Sequence, residues 1–250
     1  MVDEQVLVTG AMGRVAAQLL PALLERGEPR LMDRAEAQDG DNGRPLIVGE
    51  LTDRRVLDEA LDGVDAVVHL AGNPDPEASW QALREPNIEG FAQLLAAAHD
   101  HGVRRVIFAS SVHAMGAHEG RKHWPIDPAW PPAPCCSYGA TKAFDEALAG
   151  AYDYRTGMSL IGLRMGLCTP EASPTEAAVG WLGPADLRQL VIGALDADDV
   201  KFGVYHAVSW PSRHRWDFGT AVRDLGYEPE RIDDHPPEFA EDALTTCRRP

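Results

Sequence analysis

The stretch Val6-Leu7-Val8-Thr9-Gly10-Ala11-Met12-Gly13-Arg14-Val15-Ala16 constrains this chain more than any other. An apolar, strand-forming run passes through a glycine turn directly into a helix-forming segment. Gly10 permits the tight turn, Gly13 lets backbone N–H groups approach a diphosphate, and small Ala16 stands where helix meets strand. A turn of this kind needs a buried parallel strand in front of it and a crossover helix behind it. The rest of the chain has to supply that setting.

It does so by alternation. Strand-like runs are expected at 5–8, 29–32, 46–48, 66–70, 106–109, 159–164 and 204–207, with helices at 14–25, 53–61, 79–98, 138–154, 184–195 and 215–225. That order predicts an α/β fold, a doubly wound parallel sheet of the Rossmann type with a small C-terminal substrate-binding part. Residues 1–167 form the expected dinucleotide-binding core with the catalytic groups, and 168–250 a mixed segment that completes the sheet and covers the substrate pocket. Two proline-rich stretches, 116–134 and 168–184, read as ordered loops at the carboxyl edge of the sheet, and 228–250 as a loosely held tail.

Composition limits the partners. Acidic residues number 39 against 23 basic ones, a formal charge of −16, and Lys122, Lys142 and Lys201 are the only lysines. Such a surface repels nucleic acid and anionic lipid, so the expected partner is a small molecule. No apolar run reaches a membrane span of about 18 residues and Met1-Val2-Asp3-Glu4 does not resemble a secretory signal, so a cytoplasmic protein is expected. Cys135, Cys136, Cys168 and Cys247 show no C-x-x-C spacing, and His118 and His123 sit in a proline-rich loop without a metal-binding pattern. Neither a disulfide framework nor a metal site is expected.

The chemistry-bearing residues fall at predicted strand ends. Asp33 ends the second strand, 23 residues after Gly10, where a carboxylate would bind both hydroxyls of a ribose and repel a 2′-phosphate. Arg34 beside it leaves some room for a phosphorylated ribose. Glu50-Leu51 and Leu70-Ala71-Gly72 follow the third and fourth strands, where they would pack against adenine and ribose. The fifth strand ends Ser110-Ser111, and Tyr138 and Lys142 lie at i and i+4 on one face of the helix that follows. A phenol ionises near 10, so its use as a base at neutral pH requires nearby cations such as Lys142 and an oxidised nicotinamide. Ser111 would orient the substrate oxygen toward Tyr138.

Together Thr9-Gly10-x-x-Gly13, Leu70-Ala71-Gly72, Asn87-Ile88-x-Gly90, Ser110-Ser111 and Tyr138-x-x-x-Lys142 resemble the short-chain dehydrogenase/reductase superfamily, in its extended, epimerase-like branch. Within it, Phe108-Ala109-Ser110-Ser111-x-His113, Leu163-Arg164-x-Gly166-x-Cys168-Thr169-Pro170-Glu171 and Leu225-Gly226-Tyr227 are similar to uronate dehydrogenases and related sugar dehydrogenases. The resemblance implies NAD as cofactor and hydride transfer at a sugar hydroxyl or carbonyl. It also implies cofactor contacts at Gly10, Met12, Gly13, Arg14, Val15, Asp33, Arg34, Glu50, Leu51, Leu70, Ala71, Gly72, Asn87, Tyr138, Lys142 and Met165. Substrate contacts are implied at Asn73, Ser111, Val112, His113, Tyr138, Leu167 and Glu176. A homodimer built on the helices 79–98 and 138–154 is implied as well, with Phe91, Leu94, Leu95 and Ala98 as surplus apolar surface.

Three departures bear on the substrate. Val112 stands where the subfamily has Asn, Leu167 where it has Ser, and Glu176 where its carboxylate-binding arginine aligns. A neutral or cationic substrate is therefore expected in place of a uronate. An epimerase or dehydratase is the alternative enzyme, disfavoured by the short chain after Cys168. A non-catalytic dinucleotide sensor is disfavoured by the presence of both Tyr138 and Lys142.

Overall fold

Hydrophobic runs buried on both faces force the strands into the middle of a three-layer sandwich. The computed structural model describes residues 4–36, 44–121 and 124–231. Seven strands make one parallel sheet in the order β3-β2-β1-β4-β5-β6-β9. They are β1 (Val6–Thr9), β2 (Arg30–Asp33), β3 (Leu46–Val48), β4 (Ala66–His69), β5 (Arg105–Ser111), β6 (Ser159–Met165) and β9 (Phe202–Ala207). One face is covered by α1 (Arg14–Leu24), α8 (Pro184–Asp196) and α9 (Gly219–Leu225), whose Leu19, Leu23, Leu190, Val191 and Leu225 join Val8, Val68 and Ile161 in one core. The other carries α2 (Arg54–Leu61), α4 (Gly90–Asp100) and α6 (Ser137–Thr156), with Leu57, Leu61, Phe91, Leu94 and Ala149 packed on Leu7, Val67 and Phe108. The doubly wound sheet is thus present, and β9 brings the later part of the chain into it.

Phe91, Leu94, Leu95 and Ala98 are all 0% exposed. They are core residues of α4 and not the surplus surface that the pattern suggested. The helix expected over 79–98 is also interrupted: α3 (Trp80–Leu83) passes through a π turn, Arg84–Glu89, before α4. Pro86 lies inside that turn and has no N–H for the α-helical ladder.

The loops at the carboxyl edge hold more regular structure than expected. The first contains α5 (Gly116–Glu119); the second contains β7 (Leu167–Cys168), α7 (Pro174–Gly180) and β8 (Trp181–Leu182), with β7 and β8 paired in parallel. The last helix begins at Gly219 and not at residue 215, because Asp217 Oδ1 accepts from Gly219 N and fully buried Trp216 is tied through Nε1 to Val179 O. Residues 232–250 of the expected tail, with Cys247, and Lys122 and His123 lie outside the described residues. Among the described residues no helix is long and apolar enough to cross a membrane.

Candidate active site

Between β1 and β4 the strand order reverses, so the loops leaving their C-terminal ends part and open a cleft. Gly10 sits there at φ +72°, and a Cβ on it would lie 2.6 Å from the Ala71 backbone nitrogen. Only glycine satisfies both demands. Gly13 N donates to Gly10 O at 3.0 Å and Gly13 leads into α1. Asp33, at the end of β2, accepts from Met12 N at 2.9 Å, so its carboxylate stands beside the glycine turn. Gly13, Arg14, Arg34, Glu50 and Gly72 are exposed, Met12, Val15, Leu70 and Ala71 half-buried, and Leu51 and Met165 buried.

Asn87 is presented inward by the π turn and is 2% exposed. Its Oδ1 accepts from Asn73 N at 2.7 Å, and its Nδ2 donates to Asn73 O and to Thr141 Oγ1, both at 3.1 Å. Thr141 Oγ1 donates to Tyr138 O. Asn87 thereby ties the loop after β4 to α6.

The chemical end is built from β5 and α6. Ser111 ends β5, and its Oγ accepts from His113 N at 3.2 Å to cap the short 3₁₀ turn Val112–Ala114. Cys136 caps α6 by accepting from Gly139 N. A Cβ on Gly139 would collide with His113 O, so a glycine lets α6 lie directly on that turn. Tyr138 and Lys142 are 9% and 5% exposed, and Tyr138 meets the His113 ring edge-on at 5.5 Å between centroids. Lys142 Nζ donates to Asp145 Oδ2 at 3.3 Å. Burial opposes the ammonium's charge, but Asp145, Tyr138 and Glu146 outweigh it and hold Lys142 above the usual lysine value. Burial first, and Lys142 second, push His69 at the end of β4 down to about 3. Its neutral ring meets Thr9 Oγ1 through Nδ1 at 2.7 Å. Burial also lowers the pKa of His113.

The sequence model of the NAD dependent epimerase/dehydratase family matches residues 6–227. The chain belongs to the NAD dependent epimerase/dehydratase family. It is 33% identical over 246 residues to an NAD-dependent glucose-6-phosphate dehydrogenase of Haloferax volcanii, covering 91% of this chain and 94% of that protein. It is equally 33% identical over 230 residues to uronate dehydrogenase of Pseudomonas syringae, covering 91% and 82%. A mutant uronate dehydrogenase from Agrobacterium tumefaciens, complexed with NAD, superposes with a TM-score of 0.81 at 27% identity, covering 91% of this chain and 85% of that one.

The three departures noted in the sequence occupy different settings. Val112 is 3% exposed and packed in the core. Leu167 is 41% exposed on β7. Glu176 is exposed and committed to a capping box: its carboxylate accepts from Ser173 N and Oγ at 2.9 and 2.7 Å while Ser173 Oγ accepts from Glu176 N. Those bonds lower its pKa. Asn73 is half-buried and held by Asn87.

Two groups escaped sequence reasoning. Glu146 accepts from Arg164 Nε and Nη2, both at 2.8 Å, and from Ser110 Oγ at 2.5 Å, while Arg164 Nη1 donates to Pro128 O at 2.9 Å. Position i+4 from Lys142 was the available signal for Glu146. The donor atoms of His113, Cys135 and Cys136 lie within 4.8 Å of one another, but Cys135 is disulfide-bonded, contrary to the expectation drawn from cysteine spacing. Cys136 and Cys168 are free, and burial pushes the Cys168 thiol up to about 12.

Arg164 and Glu146 are 3% and 5% exposed at the side chain, so removing one partner strands the other's charge. Arg164→Met is expected to cost about 3–5 kcal/mol of stability, measured by urea unfolding. A loss below about 1 kcal/mol would show that the pair is dispensable.

Proposed function

We propose that this protein oxidises a hydroxyl of a sugar lacking a carboxylate, with NAD as hydride acceptor. The observation that supports it is that β5, which ends at Ser111, packs against α6, whose first turns carry Tyr138 and Lys142, in the same fold that presents the Gly10 turn and Asp33. The pieces suit the cofactor: a backbone cradle that a Cβ would fill at Gly10, a carboxylate beside it, and a buried ammonium further along. When bound, NAD supplies the hydride acceptor. Asp33 would take the adenosine ribose hydroxyls. Lys142 would donate to the nicotinamide ribose and, as a cation on the turn after Tyr138, favour the phenolate. Ser111 Oγ would hold the substrate oxygen, and Tyr138 would accept its proton as the carbon loses hydride.

The absence of a uronate carboxylate in the substrate rests on Glu176 in place of a cation and on apolar Leu167 at the exposed end of β7. The likeness over nearly the whole length of a glucose-6-phosphate dehydrogenase favours a sugar phosphate as the second reading. NAD is an intracellular coenzyme, so a cytoplasmic location belongs to the same reading.

The dimer belongs here too, on different residues from those first indicated. Ala140, Phe144, Ala147 and Ala151 form an exposed apolar stripe along α6 at i, i+4, i+7 and i+11, with Phe144 38% exposed, and Trp80 of neighbouring α3 is 49% exposed. Self-complementary helix faces of this sort close two-fold dimers.

Four outcomes are expected. Absorbance assays should show NADH formation with neutral aldoses or aldose phosphates exceeding that with glucuronate or galacturonate; a uronate as best substrate would refute the substrate reading. Tyr138→Phe should lower kcat by about 10²–10⁴-fold while NAD affinity stays nearly intact, and near-wild-type turnover would remove the phenol from its role. NAD should outperform NADP in kcat/KM, with Asp33→Ala narrowing the gap through weaker NAD use; equal use of both by the wild type would contradict the assignment of Asp33. Light scattering should give a dimer for the wild type and a monomer for Phe144→Glu, and a wild-type monomer at micromolar concentration would exclude the interface.

A further inference from the structure

The inward face of α6 carries one charge that the reaction sequence above leaves unused. Tyr138, Lys142, Asp145 and Glu146 all point into the fold and are between 1% and 9% exposed. Glu146 is saturated by Arg164 and Ser110, so that pair contributes no net charge. Asp145 is different. Its Oδ2 accepts from Lys142 Nζ at 3.3 Å, and its Oδ1 is buried with no hydrogen-bond partner among the described residues. We propose that Asp145 is the titratable countercharge of the nicotinamide site, a positioning residue that gives up a proton when the oxidised cofactor binds and keeps it when the reduced cofactor binds. This rests on the reading of the chain as an NAD-dependent dehydrogenase.

The charge inventory supports it. Along the inward face of α6 that carries Asp145, the helix itself supplies the Lys142 cation, the Tyr138 phenol and Glu146; β6 supplies Arg164, already neutralised by Glu146; β4 supplies His69, kept neutral by burial and by Lys142; and the turn before α5 supplies His113 against Tyr138. The site therefore stands at about one positive charge when Asp145 is protonated and at zero when it is ionised. Oxidised nicotinamide held beside Lys142 would bring a second cation, and like charges next to buried groups repel strongly. Ionising Asp145 removes that conflict. Reduced nicotinamide is neutral and creates none. Burial pushes Asp145 up to about 7, with Glu146 acting in the same direction and Lys142 against it, so the proton is available at neutral pH.

The sign follows from linkage. A bound cation lowers the pKa of Asp145, so NAD⁺ binding drives the carboxylic acid to carboxylate, the proton passes to buffer, and NAD⁺ affinity rises with pH through the neutral range. With the free carboxyl near 7 and the bound one well below it, the ratio of NAD⁺ to NADH affinity should rise roughly tenfold between about pH 6 and about pH 8.

Calorimetric titration of NAD⁺ and NADH in two buffers of different ionisation enthalpy counts the protons directly. The Tyr138→Phe background removes the other proton that a bound cation would expel. In wild type and in Tyr138→Phe, NAD⁺ should release a substantial fraction of one proton near neutral pH and NADH much less. Asp145→Asn should abolish that release in the Tyr138→Phe background and flatten the affinity ratio across pH, and Asp145→Ser serves if the Asn variant does not fold. Equal proton release with and without Asp145, or none in Tyr138→Phe, would overturn the proposal. Failure of wild type to bind either cofactor would instead overturn the functional reading beneath it.

Discussion

The buried pairing of Glu146 with Arg164 holds α6 to the middle of the sheet. Glu146 belongs to α6, Arg164 to β6, Ser110 to β5, and Pro128 to the loop beyond the sheet, and one set of hydrogen bonds joins all four. Ser111 follows Ser110 on the strand, and Lys142 lies one turn before Glu146 on the helix. Strand and helix therefore cannot slide past one another without breaking charge-assisted bonds in a dry interior, and the Ser–Tyr–Lys geometry inherits that rigidity. A buried ion pair adds little net stability compared with apolar packing. What it supplies here is register.

Around that pin the charges form a graded series. Exposed pairs such as Arg54 with Asp58 and Asp100 lie on the surface, where solvent screens them. Inside, Arg164 and Glu146 cancel, Lys142 is only partly balanced by Asp145, and His69 and His206 are held neutral at about 3, chiefly by burial. Lys142 thus keeps its charge where the neighbouring imidazole of His69 loses its own. The same helix carries both the partly balanced cation and the phenol.

Much of this was legible in the sequence because it depends on local geometry. The Gly10 turn, Asp33 at a strand end and Tyr138 with Lys142 on one helical face are set by spacing, and the sheet follows from strands buried on both faces. Boundaries shifted where partners distant in sequence intervened: β5 runs on to Ser111 because β6 pairs with it as far as Met165. Pro86 was visible, but a helix containing it can kink, end or widen into a π turn, and the bonds of Asn87 to Asn73 and Thr141 accompany the third outcome. Ser173-x-x-Glu176 is a capping box in sequence as well as in space, so the bonds that fix Glu176 at the start of α7 are legible from spacing alone. The burial of Phe91 and Leu94, the orphaned oxygen of Asp145 and the disulfide at Cys135 arise from tertiary contacts, which no local pattern encodes.

In the proposed function the Gly10 turn, Asp33 and Lys142 serve one dinucleotide in one cleft. A crystal structure of the NAD⁺ complex tests it most directly. The diphosphate is expected on the Gly10–Gly13 turn, the adenosine ribose on Asp33 and the nicotinamide ribose on Lys142, with the nicotinamide ring facing the space between Ser111 and Tyr138. A cofactor whose nicotinamide lies away from Tyr138, or whose adenosine ribose leaves Asp33 uncontacted, would contradict it.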